Sequence, residues 1–410
     1  MTRLSLISPH QHGFMKGRSC NTQLLTVLEH WTDILDNNTP IDVIYFDFKK
    51  AFDTVPHKRL LHKLKSYGIG GNVLNWIREF LTGRTQRVVV NNNTSTWAEV
   101  CSGVPQGSVL GPILFVLHIN DLPDKVSSFI KLFAEDTKIY RPILNSSDIA
   151  NIQKDIDEMV QWSKDWLLQY HPQKCSKLRL GPEQPGTTYH MADEHGTVTE
   201  IKESKSEKDL GVHIDNHLSF DDHIRLTVSK ANKQLGLIRR AFEYLDAEML
   251  GDLFKSRIHP ILEYGNNVWN PRLKKHKDLI EGVQRRATKL IGSLRHLSYE
   301  ERLRKLNLPT LCYRRKRGDM IEMYKFMNNK YDVDHTWIKM DNDNRTRGHN
   351  YKLKTQRCRT LNRQHTFGNT CRVTRPWNSL PQHIVEAPSL NSFKARLDKH
   401  WTDQKFSLLD

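Results

Sequence analysis

The sequence predicts an α+β fold, an antiparallel sheet with flanking helices followed by a basic, mainly helical region. Three observations point there: β-branched and aromatic runs at 42–48 and around 131–140, helical spacing between and after them, and a step in charge near residue 250. Residues 21–38 (NTQLLTVLEHWTDILDNN) place apolar side chains at 24, 25, 28, 31, 34 and 35, an amphipathic helix that Asn37-Asn38 and Pro40 end. DVIYFDF (42–48) reads as a buried strand. Helical patterns recur at 57–67 and 72–82, separated by YGIGGN, whose glycines are loop residues because no strand precedes them. QRVVVNNNTSTWAEV (86–100) predicts a hairpin turning at its asparagines, and FIKLF with TKIY predicts a second hairpin around Glu135-Asp136. Residues 151–169 return to helical spacing, KDLGVHID (208–215) predicts a further strand pair, and 222–330 is mostly helical and basic. From 331 onward periodicity is weak.

At 410 residues, 38% hydrophobic and 26% charged, the chain has the composition of a globular protein with room for two or three domains. Its longest nearly unbroken apolar run, VLGPILFVLHI (109–119), is too short to span a bilayer and contains Gly, Pro and His. Residues 1–20 lack a basic start followed by an apolar core. Neither membrane insertion nor secretion is expected. Six scattered cysteines with no Cys-x-x-Cys argue against a zinc ribbon and a disulfide framework, so the expected location is intracellular, nucleus or cytoplasm.

The net charge of +16 is unevenly spread: residues 1–250 hold 29 basic and 30 acidic side chains, residues 251–410 hold 33 and 16. The excess includes RLKKHK (272–277), RRKR (314–317) and RCRTLNR (357–363). Concentrated positive charge points to a polyanion, because lysines and arginines beside phosphates release condensed counterions. A solubilising surface is the plainer reading of any one run.

Asp47 ends an apolar strand and Glu135-Asp136 sits at a hairpin turn, so if these elements are neighbours in one sheet three carboxylates converge. Such a cluster repels itself unless cations intervene. Mg²⁺ takes oxygen ligands, and two ions about 3.5–4 Å apart clamp the attacking and leaving oxygens of a phosphoryl transfer. Nucleotidyl transfer is the reaction class this spacing raises, against the common alternative of an aspartate that caps a following helix.

YFDFKKAFDTVPH (45–57), GVPQGSVLGPILFVLHINDLP (103–123), LFAEDTKIY (132–140), YHPQKC (170–175) and LGVHIDNHLSF (210–220) occur in the order and spacing of the palm motifs of reverse transcriptases. More narrowly, the chain resembles the jockey-like non-LTR retrotransposon members. The resemblance continues through VQRRATKLIG, LSYEERLRKLNLPTL and RRKRGDMIEMYKFMN to TRPWNSLP and SFKARLDKHW, from residue 9 to about 402. It implies a right-hand polymerase: a remnant of the fingers at 1–40, the palm at 41–207, a primer-grip-like hairpin at 208–221, a helical basic thumb or connection at 222–330, and a basic C-terminal segment of unassigned role at 331–410. It implies RNA-directed DNA polymerase ancestry, two Mg²⁺ or Mn²⁺ ions, dNTPs, and an RNA template with a DNA primer or hybrid duplex.

Residue by residue, the resemblance makes Asp47, Glu135 and Asp136 the metal-binding carboxylates, with the Phe48 carbonyl a further ligand. Phe52 stands where the family places the aromatic side chain that blocks a 2′-hydroxyl, a role compatible with a core aromatic. Asp53 caps or pairs locally and is assigned no metal. Gln106, Gly107 and Ser108 would lie against template and nucleotide, Gly107 allowing close backbone approach. Lys174 is the candidate for the basic residue that protonates or neutralises the departing pyrophosphate, a solvated surface lysine being the alternative. Arg18 would touch template or cap the following helix. Leu210, Gly211 and Val212 would hold the primer end.

The chain departs from the pattern in two places. The family carries two consecutive aspartates where this chain has Glu135 first, and the added methylene extends the carboxylate by roughly 1.5 Å, beyond the ~0.5 Å that catalytic constellations tolerate. SPHQHGFMKGRSC (8–20) resembles the segment just before the first palm strand, so the upstream fingers strands and an endonuclease domain are expected to be missing. Impaired polymerisation is one expectation. A catalytically dead RNA- or DNA-binding remnant is the other.

Overall fold

The computed structural model describes residues 6–182, 186–341 and 348–407. Small parts of the expected fingers remnant (1–5), palm (183–185) and C-terminal segment (342–347 and 408–410) lie outside the described residues. The chain divides into two units: residues up to Gln23 with Asn38–Lys205, and Leu24–Asn37 with Ser206–Asp410. Helix α1 (Cys20–Asp36) is therefore shared, its first turn counted with one unit and the remainder with the other.

The first unit is built on strand β1 (Ile41–Phe46), whose first four residues are all buried. Helices α2 (His57–Ser66), α3 (Gly71–Leu81) and α4 (Leu110–His118) follow, and the apolar run at 109–119 is α4. The expected hairpin is β2 (Phe129–Phe133) and β3 (Asp136–Pro142), followed by α5 (Ser146–Trp166), which an Asn145–Asp148 capping box opens. Strands β4 (Ser176–Leu180) and β5 (Lys202–Ser204) complete a five-stranded sheet of order β5-β4-β1-β3-β2. All pairings are antiparallel except β5 with β4. One continuous core joins Ile44, Phe46 and Ile139 of the sheet to Leu114 and Phe115 of α4 and to Ile152, Ile156 and Met159 of α5. The 85–99 stretch is a pair of short ladders turning at Asn91-Asn92, where φ is 46° and 64°, the backbone a tight hairpin needs.

In the second unit, β6 (Ser206–Asp209) and β7 (Val212–Asp215) form the expected strand pair. Helices α6 (Asp221–Ala241), α7 (Lys274–Thr288), α8 (Leu311–Met327) and α9 (Leu390–His400) follow. The later part of α1 is tied to the C-terminal segment: Arg363 Nη2 lies 2.6 Å from Glu29 Oε1, and Asp36 accepts from the Arg359 and Thr360 amides. Among the described residues no helix is long and apolar enough to cross a membrane.

His12 and His118 are 3% and 0% exposed. Burial, reinforced by Lys131 for the first and Lys63 for the second, pushes each imidazole down to about 3. The unfolded chain, with ordinary histidines, binds protons between pH 6.5 and 3 that the folded chain refuses. Stability is therefore expected to fall as pH drops below 6.5, by up to about 1.4 kcal/mol per pH unit for each such histidine. Urea midpoints from pH 7 to 5 check this, with His118→Phe flattening part of the profile; superimposable profiles for the two proteins would refute it.

Candidate active site

Pairing of β1 with β3 runs from Ile41↔Pro142 to Phe46↔Thr137, so one further step sets Asp136 across from Asp47. Directly opposed residues share a face of the sheet. Phe48 forms an isolated antiparallel bridge to Tyr170, flanked by the Lys49 amide donating to the Gln169 carbonyl and the His171 amide donating to the Asp47 carbonyl, both 2.7 Å. That pattern turns Phe48's own amide and carbonyl to the other edge, where β3 lies. The Phe48 ring stacks on Tyr170 at 4.4 Å, fixing this backbone. Lys174, exposed on a short turn before β4, places Nζ 3.5 Å from Asp47 Oδ2.

The expected triad of carboxylates does not close. Asp47, Glu135 and Asp136 reach the same end of adjacent strands, yet among the described residues no three His, Cys, Asp or Glu side chains gather closely enough to hold a metal. Glu135 and Asp136 are consecutive and exposed, and neighbouring residues at a turn direct their side chains apart. The Lys174 ammonium stands beside Asp47 as its counter-charge. The remaining donor set is still right in kind for a hard divalent ion, which needs only one or two carboxylates with the rest from water and substrate phosphates. Asp47, Asp136 and the Phe48 carbonyl supply oxygens of that type.

The other expected residues surround this end in several ways. Phe52 is half-buried, stacked on Phe115 at 4.4 Å and edge-on to the exposed Phe14 at 6.4 Å. Gln106 donates from Nε2 to Asp53 Oδ1 at 3.1 Å, and Gly107 has φ +83° with open space where a Cβ would stand. Ser108 accepts from the Gly111 amide at the start of α4. Arg18 donates to the Pro9 and Gln11 carbonyls at 3.0 and 2.6 Å, bracing the segment before α1. Leu210 and Gly211 form the β6–β7 turn with φ 45° and 87°, and Tyr264 Oη donates to the Leu210 carbonyl at 2.7 Å while Val212 is fully buried. These three residues belong to the second unit.

Two residues that carry the site escaped the sequence reading. The buried Gln11 accepts through Oε1 from the Gly13 amide at 2.7 Å and from the Ala134 amide, the residue before Glu135, at 3.0 Å. Residues 10–12 lie along β2 as an added edge, exchanging hydrogen bonds between Leu132 and His10 and His12. A Cβ on Gly13 would come within 2.4 Å of the Ala134 nitrogen, so only glycine permits this approach. No periodicity marks the segment; a glycine two residues after a glutamine was the only sequence signal.

Residues 1–214 match the family model described as Reverse transcriptase (RNA-dependent DNA polymerase). The chain is similar to the probable RNA-directed DNA polymerase from transposon BS of Drosophila melanogaster, 26% identical over 71% of this chain and 33% of that protein. It is similar also to the RNA-directed DNA polymerase from mobile element jockey of the same species, 26% identical over 74% of this chain and 34% of that one. The chain thus spans about a third of the length of these curated relatives. Among solved structures, apo telomerase from Candida tropicalis aligns with a TM-score of 0.39 at 10% identity, covering 72% of this chain and 50% of that one, too distant to carry an argument.

Gln11→Leu leaves two buried amides unpaired, whereas Gln11→Glu keeps an acceptor oxygen in place. Hydrogen exchange at Ala134 should accelerate on the order of tenfold or more in the leucine variant, equivalent to about 1.4 kcal/mol of lost local stability. It should change little in the glutamate variant. Equal protection of Ala134 in the leucine variant and the parent chain would show that Gln11 does not hold the turn.

Proposed function

Because the chain belongs to the reverse transcriptase family, in its jockey-like non-LTR retrotransposon branch, we propose that it carries the palm and following parts of an RNA-directed DNA polymerase weakened at Glu135. The observation that carries this reading is the pairing of β1 with β3, which brings Asp47 and Glu135-Asp136 to one end of the sheet with Lys174 3.5 Å from Asp47.

The family works with divalent metal ions, and in this chain two Mg²⁺ or Mn²⁺ ions held by Asp47, Asp136, the Phe48 carbonyl and, less favourably, Glu135 fit the donors present. Bound there, they would neutralise charge on the attacking and leaving oxygens of nucleotidyl transfer. Lys174 is placed to leave Asp47 and face the departing pyrophosphate. Phe52, anchored on Phe115, would present the aromatic side chain that crowds a 2′-hydroxyl, favouring dNTPs. Gln106, oriented by Asp53, and the open backbone at Gly107 offer a surface for template and nucleotide. The Leu210–Gly211 turn would support the primer end, and the basic helices of the second unit would hold RNA–DNA hybrid by its phosphates. In this reading residues 1–40 are the end of the fingers, 41–207 the palm, 208–221 the primer-grip hairpin, and 222–330 the thumb.

A second reading, a nucleic-acid-binding remnant without catalysis, is favoured by one observation, that the three carboxylates do not close into a group. A primed RNA template with dNTPs and Mg²⁺ or Mn²⁺ separates the two. The parent chain should extend the primer slowly, Glu135→Asp should gain on the order of 100-fold, and Asp47→Ala should extend nothing. If neither the parent nor Glu135→Asp extends while both bind hybrid with steep salt dependence, the remnant reading stands and the polymerase reading fails.

A further inference from the structure

Cations from two of the basic runs, 272–277 and 314–317, and from the later Arg372 and Arg375 meet in one cleft of the second unit, of about 570 Å³. Its cations are Arg272 and Lys277 from the 272–277 run, Arg315 and Lys316 from α8, Arg372, and Arg375 at the start of the TRPWNSLP stretch. The one carboxylate lining it, Asp319, is already engaged: Arg372 donates to it from Nε at 2.9 Å and from Nη2 at 2.7 Å, and Asn267 donates to it as well. Arg272 makes a neutral contact, donating to Asn362 Oδ1 at 2.8 Å.

Arg315 is the decisive residue. It is 4% exposed, it lines the cleft, and among the described residues its guanidinium has no hydrogen-bond or ion-pair partner. After burial, Cys312 and then Glu281, Asp319 and Glu263 act on it electrostatically, and each carboxylate is bonded elsewhere: Glu281 to the Tyr299 hydroxyl and Leu311 amide, Asp319 to Arg372, Glu263 to Arg314. None of its nitrogens is among the polar side-chain atoms sealed from solvent without a partner, so the guanidinium opens to the cleft, and its planar fork matches phosphate oxygens. Lys316 and Arg375, on separate elements, likewise make no ion pair among the described residues. The positive field is felt at His365 on the cleft wall, whose imidazole burial and then Arg272, Arg372 and Lys277 hold below its ordinary value.

We propose that this cleft is a phosphate-binding site, with Arg315 at its floor and Lys316 and Arg375 at its rim, built to take an anion that presents phosphoryl oxygens. Its volume lies in the range of ligand sites, ~300–1,000 Å³, larger than one inorganic ion requires. The phosphates of a single nucleic-acid strand and free pyrophosphate share this chemistry. The site gives the C-terminal segment a binding role independent of whether the carboxylates at Asp47 support catalysis.

The test uses the full chain. Anisotropy with a short labelled single-stranded RNA and calorimetry with inorganic pyrophosphate are compared in the parent, in Lys316→Ala/Arg375→Ala, in Arg315→Met, and in Lys154→Ala/Lys164→Ala on α5, which removes the same charge elsewhere. The rim pair should weaken RNA binding on the order of tenfold and lower the salt slope by about 1.4, as for two lost phosphate contacts on a single strand. The α5 pair should do neither. Arg315→Met should melt at or above the parent temperature without ligand and lose the ligand-induced rise in melting temperature. Loss confined to RNA identifies a strand as the occupant, and loss confined to pyrophosphate identifies a free anion. Equal losses in the rim and α5 pairs, or no loss of either ligand in folded rim and Arg315 variants, would overturn the proposal.

Discussion

The pairing of Ile41–Phe46 on both of its edges is the constraint on which the chemistry of the first unit rests. With Ser176–Leu180 on one side and Asp136–Pro142 on the other, the strand has no freedom to slip, since a shift of one residue would turn its buried side chains to the wrong face. The fixed register puts Asp47 at the open end beside the β2–β3 turn. The Phe48–Tyr170 bridge carries the order one step beyond the strand, and Gln11 ties the turn itself from outside the sheet. Position is thus set by backbone pairing, and the exposed carboxylates need contribute little to folding.

That separation explains which parts were legible in the sequence. The apolar stripe of α1, the apolar part of the strand at 42–48 and the hairpin around Glu135-Asp136 read correctly because burial there follows composition, whereas the 85–99 hairpin, with Val88, Val89 and Val90 exposed, was legible from its asparagine turn. Strand β4 did not read correctly, because SKLRL alternates leucine with cations and both sets are buried. Lys177 is paired with Glu203 at 2.6 Å and Asp42 accepts from Thr187 and Tyr189 at 2.6 and 2.8 Å, with Arg179 alongside at 3.7 Å. A strand whose buried cations pair with Glu203 and Asp42, 26 and 137 residues away, carries little local signal. Gln11 escaped for the same reason: its partner Ala134 is 123 residues on.

At the candidate site the sequence was informative about place and less so about closure. Motif order brought Asp47, Glu135 and Asp136 to one end of the sheet, because strand register is encoded in the pattern of buried residues. Whether three like charges then gather depends on side-chain torsions, on counter-charges such as Lys174, and on ions, none of which spacing encodes.

The net charge of the C-terminal region is a similar case. Its surplus reads as one basic surface, but several of its arginines are internal fastenings: Arg314 on Glu263, Arg317 on Asp398, Arg363 on Glu29 and Arg372 on Asp319. Each of these pairs two distant elements and offers a polyanion little. Along the RRKR run the first and last arginines are paired, and the two residues between them, Arg315 and Lys316, face the cleft. Helical geometry accounts for the division, since residues three apart on α8 share one side and those between them turn to another. The net charge of the region therefore overstates its free charge: on α8 the fold ties Arg314 and Arg317 to carboxylates and leaves Arg315 and Lys316 lining the cleft.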